Sequence, residues 1–402
     1  MASSVAAPLP GAFWRLWTSV TLSNLGDGVR LAAFPLLAVT LTQDPRLVAG
    51  VAVVQYLPWL FLGIPAGAIA DRVDRRRLMS AVNFGRTIAL VLLLVSLATD
   101  TAALPMLYVT AFLIGVGETA YDTAAQAAVP QLVPAPSLVR ANGRLVSSLV
   151  VTDEFVGPLL GAALFTVGVL LPFGVHASLV LVAGGLILTL PRLSPDTTST
   201  AAAAVPSALA SVRWLWAQPA LRGMLVLAVA LVAADSAWFG LLVLYTTQVL
   251  QLPPAVYGIL VAAGAAGGLL GAVLTDRATR RLGTGRVFVG SVVLAAVTQI
   301  VLGLTASVAL AVLLLAISSG AFAAYNVVST SVRQRLVPSA LLGRVTGAYR
   351  TCTMSAAALG AAGGGILAGA LGIRAPFLVG GVLLLVVLAV VTFRHPPLPG
   401  LD

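Results

Sequence analysis

The chain has 402 residues, 59% of them hydrophobic and 9% charged, with a mean hydropathy of +1.04. A soluble core cannot absorb that much apolar surface, so the composition excludes a soluble globular domain and points to an all-α membrane protein. The net charge of +10 is carried by arginine alone, since the chain has no lysine, and the arginines gather in short segments between apolar runs; that placement is a topology signal and excludes nucleic acid as the partner.

In chain order, about twelve spans of the length a bilayer requires begin near Trp14, Ala49, Leu78, Leu104, Leu145, Pro172, Leu221, Val256, Val287, Val308, Val345 and Pro376. The first apolar stretch runs straight into a long helix with no small-residue cleavage site, so no removable signal peptide is expected. In the second span, Pro58 and Pro65 are expected to interrupt and kink the helix. With the N-terminus in the cytoplasm, 18 of the 23 arginines fall in inner segments, two (Arg46 and Arg374) fall outside, and three (Arg30, Arg86 and Arg350) fall within spans. By the positive-inside rule both termini are cytoplasmic, in a multi-pass protein of the cytoplasmic (inner) membrane.

The chain repeats itself at a nearly constant offset. Residues 131–144 (QLVPAPSLVRANGR) match residues 335–348 (RLVPSALLGRVTGA), with Pro134 opposite Pro338 at an offset of 204. Asp71 and Arg72 lie opposite Asp276 and Arg277 at an offset of 205, each pair ending an apolar span and opening an arginine cluster. Two pseudo-symmetric six-helix bundles follow, at 1–192 and 217–402, joined by a cytoplasmic linker at 193–216 whose first part is rich in Ser, Thr, Pro and Ala. Trp14 and Trp17, and Trp214 and Trp216, suit an interfacial aromatic belt before each bundle.

Six of the 13 acidic residues fall inside spans: Asp27, Glu118, Asp122, Asp153, Glu154 and Asp235. Each costs on the order of 2.5–3.5 kcal/mol at a span centre, so together they must pair, protonate or face water. Asp27 and Asp235 sit at similar depth in the first helix of each half, roughly 21 Å along a helix from the inner face. Arg30 follows Asp27 by three residues, which reads either as part of a cavity or as a buried ion pair that fixes packing. Glu118 and Asp122 share one face of the fourth span; Glu118 reads as a cavity residue, and Asp122 as a latch toward Arg75, Arg76 or Arg86. Asp153 and Glu154 are about 100° apart around their helix, so one of the two points into the cavity. Tyr121, Trp238, Tyr245, Tyr325 and Asn326 read equally as cavity lining or as packing.

Other chemistries are excluded. A phosphate-cradling loop needs a lysine that the chain lacks. A single cysteine, Cys352, and two histidines far apart in sequence, His176 and His395, offer no metal cluster and no nucleophile with its base. The chain is therefore expected to be no enzyme and to need neither metal nor cofactor.

Residues 67–76, GAIADRVDRR, resemble the signature loop between the second and third helices of the major facilitator superfamily, G-x-L-A-D-R-x-G-R-R. Ile69 and Asp74 depart from it, the latter removing a glycine turn. Residues 272–281 are a degenerate copy in the second half. The Gly157-Pro158-Leu159-Leu160-Gly161 string in the fifth span is similar to the core of a motif associated with antiporters of that superfamily. Asn24 to Gly28 and residues 117–134 resemble a branch of siderophore exporters and of multidrug or macrolide efflux proteins. The resemblance implies a monomeric carrier in the lipid bilayer, exporting a small molecule by alternating access in exchange for protons; uptake by symport and a non-transporting sensor or scaffold are the alternatives. The loop match places Gly67, Asp71, Arg72, Arg75, Arg76, Asp276 and Arg277 in gating, joined by Arg86 and Asp122 from their position in the spans; Gly157, Pro158 and Gly161 form the antiporter-like motif; and the placement of charge inside spans reads Asp27, Arg30, Glu118, Asp153, Glu154 and Asp235 as proton coupling and substrate cavity.

Overall fold

The computed structural model describes residues 8–70, 73–193 and 208–394. Its described residues form an all-α, multi-span membrane fold. Twelve long helices follow one another: α1 (Gly11–Leu41), α2 (Pro45–Ala70), α3 (Arg75–Ala98), α4 (Ala103–Leu132), α5 (Leu138–Val167), α6 (Leu171–Leu188), α7 (Pro219–Phe239), α8 (Tyr257–Leu282), α9 (Thr284–Leu304), α10 (Val308–Leu336), α11 (Ser339–Leu371) and α12 (Ala375–Arg394). Eleven of them are long and apolar enough to cross a membrane by composition alone; α1 is set apart by carrying Arg15, Asp27 and Arg30. In hydrocarbon a backbone has no water to bond, so each apolar run closes its own hydrogen bonds as helix.

Punctuation follows local chemistry. Gly283 (φ 85°) and Gly372 (φ 91°) end α8 and α11 in the left-handed region that glycine enters without a Cβ penalty. Pro172 and Pro219 stand at the first turns of α6 and α7, where a missing N–H costs nothing. Asp74, the departure from the signature loop, caps α3 by accepting from the Arg76 amide at 3.0 Å.

Two expectations change. Helix α2 continues unbroken across Pro58 and Pro65, because a proline deletes one backbone bond while the bilayer offers the chain no better alternative. The second-half copy of the signature loop is no loop: Asp276 and Arg277 lie on α8, which stays helical to Leu282 because the sequence supplies no breaker before Gly283. There Asp276 pairs with Arg280 at 2.6 Å, one turn on, with both side chains exposed.

The contacts sort the chain into two compact units, Met1–Phe34 with Phe61–Ala202, and Pro35–Leu60 with Ala203–Asp402. In the first, α3 packs on α4 and α6. A polar seam joins α1, α3 and α6: Ser19 donates to the Ala183 carbonyl at 2.8 Å, Asn83 to Ser23 at 3.2 Å and Ser80 to the Gly184 carbonyl at 2.9 Å. Arg15 and Arg76 donate to carbonyls at the C-terminal end of α6, at 2.6 Å to Thr189 and 3.1 Å to Leu190, where cations complement the helix dipole.

In the second unit α9 packs on α10 and α12, the counterpart of α3 on α4 and α6. Helices α8 and α10 approach backbone to backbone at Gly267 against Ala316 and Gly271 against Gly320, and α7 and α11 do so at Ala233 against Gly360 and Ala237 against Gly364. Small residues drive such packing where lipid is as apolar as the side chains. Of the aromatic residues in question, Tyr245 is buried and donates to the Leu302 carbonyl at 2.9 Å, and Tyr325 to the Met224 carbonyl at 3.0 Å. Trp238 packs on Phe377, Tyr121 is buried in a core cluster, and Asn326 is exposed.

Candidate functional site

Five spans of the first unit bring ionisable side chains together around Asp27. The helix α1 supplies Asp27 and Arg30 one turn apart, with Arg30 Nε 3.6 Å from Asp27 Oδ1. Arg86 of α3 reaches the same Oδ1 and donates to it through Nη2, while Arg30 Nη2 donates to Glu118 of α4. Arg30 and Arg86 are 6% and 2% exposed, so these are buried ion pairs. Such pairs hold because each guanidinium meets a carboxylate; stripped of one partner, the other charge is stranded in low dielectric.

Asp153 arrives by a different device. The helix α5 widens to π-helical geometry over Val150–Val156 and returns to α-helix at Gly157. Pro158 explains the position, since it has no N–H for the Glu154 carbonyl and its ring crowds that turn. The widened turn lies directly against α1. A Cβ on Gly28 would stand 2.5 Å from the Asp153 carbonyl oxygen, one on Gly157 would stand 2.5 Å from the Gly28 Cα, and one on Gly161 would collide with the Val29 carbonyl oxygen. Here the Gly-Pro string has a physical reading: Gly157 and Gly161 give the close crossing with α1, and Pro158 the distortion. Asp153 is half-buried, within electrostatic reach of Asp27, Arg30 and Glu118, whereas Glu154 is exposed. Of the two adjacent acids, Asp153 is the one that faces the cluster.

The remaining sequence candidates lie elsewhere. Arg86, grouped from sequence with the gating arginines, pairs with Asp27, because eleven residues of helix carry it roughly 16 Å from Arg75. Arg75 is buried with its backbone amide bonded to the Leu193 carbonyl at 3.2 Å, and Arg76 bonds the end of α6. Asp122 is half-buried on α4, one turn from Glu118. Gly67 lies in α2, and Asp71 and Arg72 fall outside the described residues. Asp235, half-buried on α7 of the second unit, has neither an ion pair nor a hydrogen bond of its side chain among the described residues.

Sequence reasoning misses His176. It sits on α6, fully buried, with Nε2 3.6 Å from Asp27 Oδ1. A lone histidine near a helix end carries no motif, and its only signal is a glycine on another helix, Gly26, whose missing Cβ makes room for the ring. No group of three or more metal-ligating side chains occurs among the described residues.

A protein family described as transmembrane secretion effector matches residues 3–401. An uncharacterized MFS-type transporter, YfiS of Bacillus subtilis (strain 168), is 28% identical over 390 residues, covering 92% of this chain and 90% of the relative. The enterobactin exporter EntS of Escherichia coli O1:K1 / APEC is 26% identical over 357 residues, covering 84% and 83%. Among solved structures, the nucleoside transporter NupG (D323A mutant) superposes with a TM-score of 0.78 at 13% identity, covering 96% of this chain and 100% of that one; that likeness is one of fold.

Proposed function

We propose, for a chain that belongs to the transmembrane secretion effector family and is thereby a secondary-active small-molecule carrier of the major facilitator superfamily, not an enzyme, that transport is coupled to protons at the cluster of Asp27, Arg30, Arg86, Glu118 and Asp153. The observation that carries this reading is the sharing of Asp27 Oδ1: Arg86 bonds it while Arg30 lies 3.6 Å away. The cluster holds three carboxyls against two guanidiniums, so full ionisation leaves one negative charge uncompensated. A proton, or a cationic group of the cargo, would neutralise it, and moving either between the two sides of the membrane would require the pairs to rearrange. Asp235 is proposed as a second titrating carboxyl, and Gly67, Asp71, Arg72, Arg75, Arg76 and Asp122 of the first half and Asp276 and Arg277 of the second as gating residues.

At about 100 mV and one pH unit, one proton supplies ~2.3 kcal/mol from the potential and ~1.4 kcal/mol from the pH difference, enough together for a solute gradient of ~500-fold. Export by antiport is the direction supported by the similarity to the enterobactin exporter and by the Gly157-Pro158 distortion. Uptake by symport is the second reading: the same carboxyls would serve it, because a coupling site fixes the exchange of proton and solute occupancy and leaves the sign to the order of binding. The proposed setting is the inner membrane, with both termini cytoplasmic and a single chain as the working unit.

The test is accumulation of a panel of labelled cationic, anionic and neutral organic compounds in cells with and without the protein, at two proton gradients. Antiport predicts lower accumulation with the protein, deepening as the gradient grows, and symport predicts the reverse. Fluxes that ignore the gradient would remove proton coupling from either direction.

A further inference from the structure

His176 has no role in the ion pairs just described, yet its place is built. The ring is fully buried in α6 and stands over Gly26 of α1, where a Cβ would fall 2.5 Å from Cδ2 and 3.2 Å from Nε2. Nε2 lies 3.6 Å from Asp27 Oδ1, beyond hydrogen-bond range, and neither ring nitrogen has a hydrogen-bond partner among the described residues. Buried polar atoms left unpaired call for a physical reason. Arg86 bonds Oδ1 through Nη2 alone, and its Nε and Nη1 have no hydrogen-bond partner among the described residues. The oxygen that His176 faces is thus occupied by a guanidinium fastened at one nitrogen.

We propose that His176 is the alternate partner of Asp27, taking Oδ1 when Arg86 releases it and holding the transported proton together with that carboxylate. This rests on the coupling role assigned to the cluster above. The groups facing the ring and its partner are Asp27 and Arg30 from α1, Arg86 from α3, Glu118 and Tyr121 from α4, and Asp153 from α5. While Arg86 stays on Oδ1, a proton on the imidazole meets two guanidiniums and a carboxylate already neutralised. Once Arg86 swings away, the carboxylate charge is uncompensated, and a shift of less than ~1 Å brings Nε2 into bonding range. The proton then passes from hydronium on the open side to the ring, one O–H bond breaking as one N–H bond forms and water being left behind. It returns to water when Arg86 reclaims Oδ1.

The experiment is nitrogen NMR of histidine-labelled protein in nanodiscs of phosphatidylethanolamine and phosphatidylglycerol, in a His395→Gln background so that His176 alone reports. In Arg86→Gln the protonation midpoint of the ring is expected to rise by at least one pH unit, a tenfold change, and to fall back when Asp27→Asn is added. Should Arg86→Gln not fold, Arg86→Lys, whose shorter and more mobile amine leaves Oδ1 more readily, is expected to show a smaller shift of the same sign. A midpoint that does not respond to Arg86, or responds equally without the Asp27 carboxylate, overturns the pairing. A ring that responds as expected in a protein whose fluxes ignore the proton gradient would instead overturn the coupling role, so the two failures are distinguishable.

Discussion

Removing one partner from a buried ion pair leaves the other charge without solvent or counterion, and Asp27 is the group most exposed to that risk. Its Oδ1 accepts from Arg86 and lies 3.6 Å from Arg30 Nε and from His176 Nε2. Arg86→Gln is therefore expected to cost about 3–5 kcal/mol of stability, read as a lowered melting temperature in detergent, and Asp27→Asn in the same background to restore most of it. Equal loss in the double and single variants would mean that the two side chains do not support one another. The same physics governs what the sequence reveals at this scale. Asp27, Arg30 and Glu118 are legible because a charge inside an apolar run is costly and stands out. The Asp27–Arg30 pair is legible as well, three residues apart on one helix, but the pairings with Arg86 and Glu118 are not, because these are contributed by other helices and a single chain records no distance across helices. His176 escapes for the opposite reason: a half-polar ring in an apolar run stands out much less than a charge.

Elements are legible in proportion to how little choice the bilayer leaves them. Eleven of the twelve long helices follow from apolar runs of sufficient length, and α1, interrupted by Arg15, Asp27 and Arg30, is the exception. What periodicity does not reveal is a change of helix type, such as the π turn at Val150–Val156, which arises from Pro158 and from the contact of α5 with α1. That contact makes a test. In Gly161→Leu the new side chain must enter the space of the Val29 carbonyl, and the expected cost is ~1–3 kcal/mol, since overpacking a close crossing forces the backbones apart. Asp153 lies on the same stretch, so transport is expected to fall with stability. Gly174→Ala on α6 is the control, for nothing lies within 4 Å of its Cβ position, and it is expected to leave the melting temperature unchanged or slightly raised. If both variants melt alike, the close crossing is not what holds α5 on α1.

At the scale of the whole molecule the decisive quantity is where the arginines sit relative to the bilayer. The repeat puts Asp71-Arg72, just after α2, and Asp276-Arg277, in the last turns of α8, at equivalent positions in two halves, each pair opening an arginine cluster. Six spans in each half would bring those two pairs to one face of the membrane, which is the expectation to test. The sign of that face is set by charge: inverting the chain would carry 18 arginines to the outer side and leave Arg46 and Arg374 within, against a rule that counts positive residues in short connections. Single cysteines in a Cys352→Ser background measure this directly. Val73, between α2 and α3, and Leu282, at the end of α8, are exposed, as are Thr101 before α4 and Ser307 before α10. In intact cells a membrane-impermeant maleimide is expected to label Thr101→Cys and Ser307→Cys, and to reach Val73→Cys and Leu282→Cys only in inverted vesicles. Labelling of Val73→Cys and Leu282→Cys from opposite sides would break the equivalence of the two halves. Labelling of both from outside would preserve the repeat but reverse the orientation, carrying 18 arginines to the outer face against the charge rule.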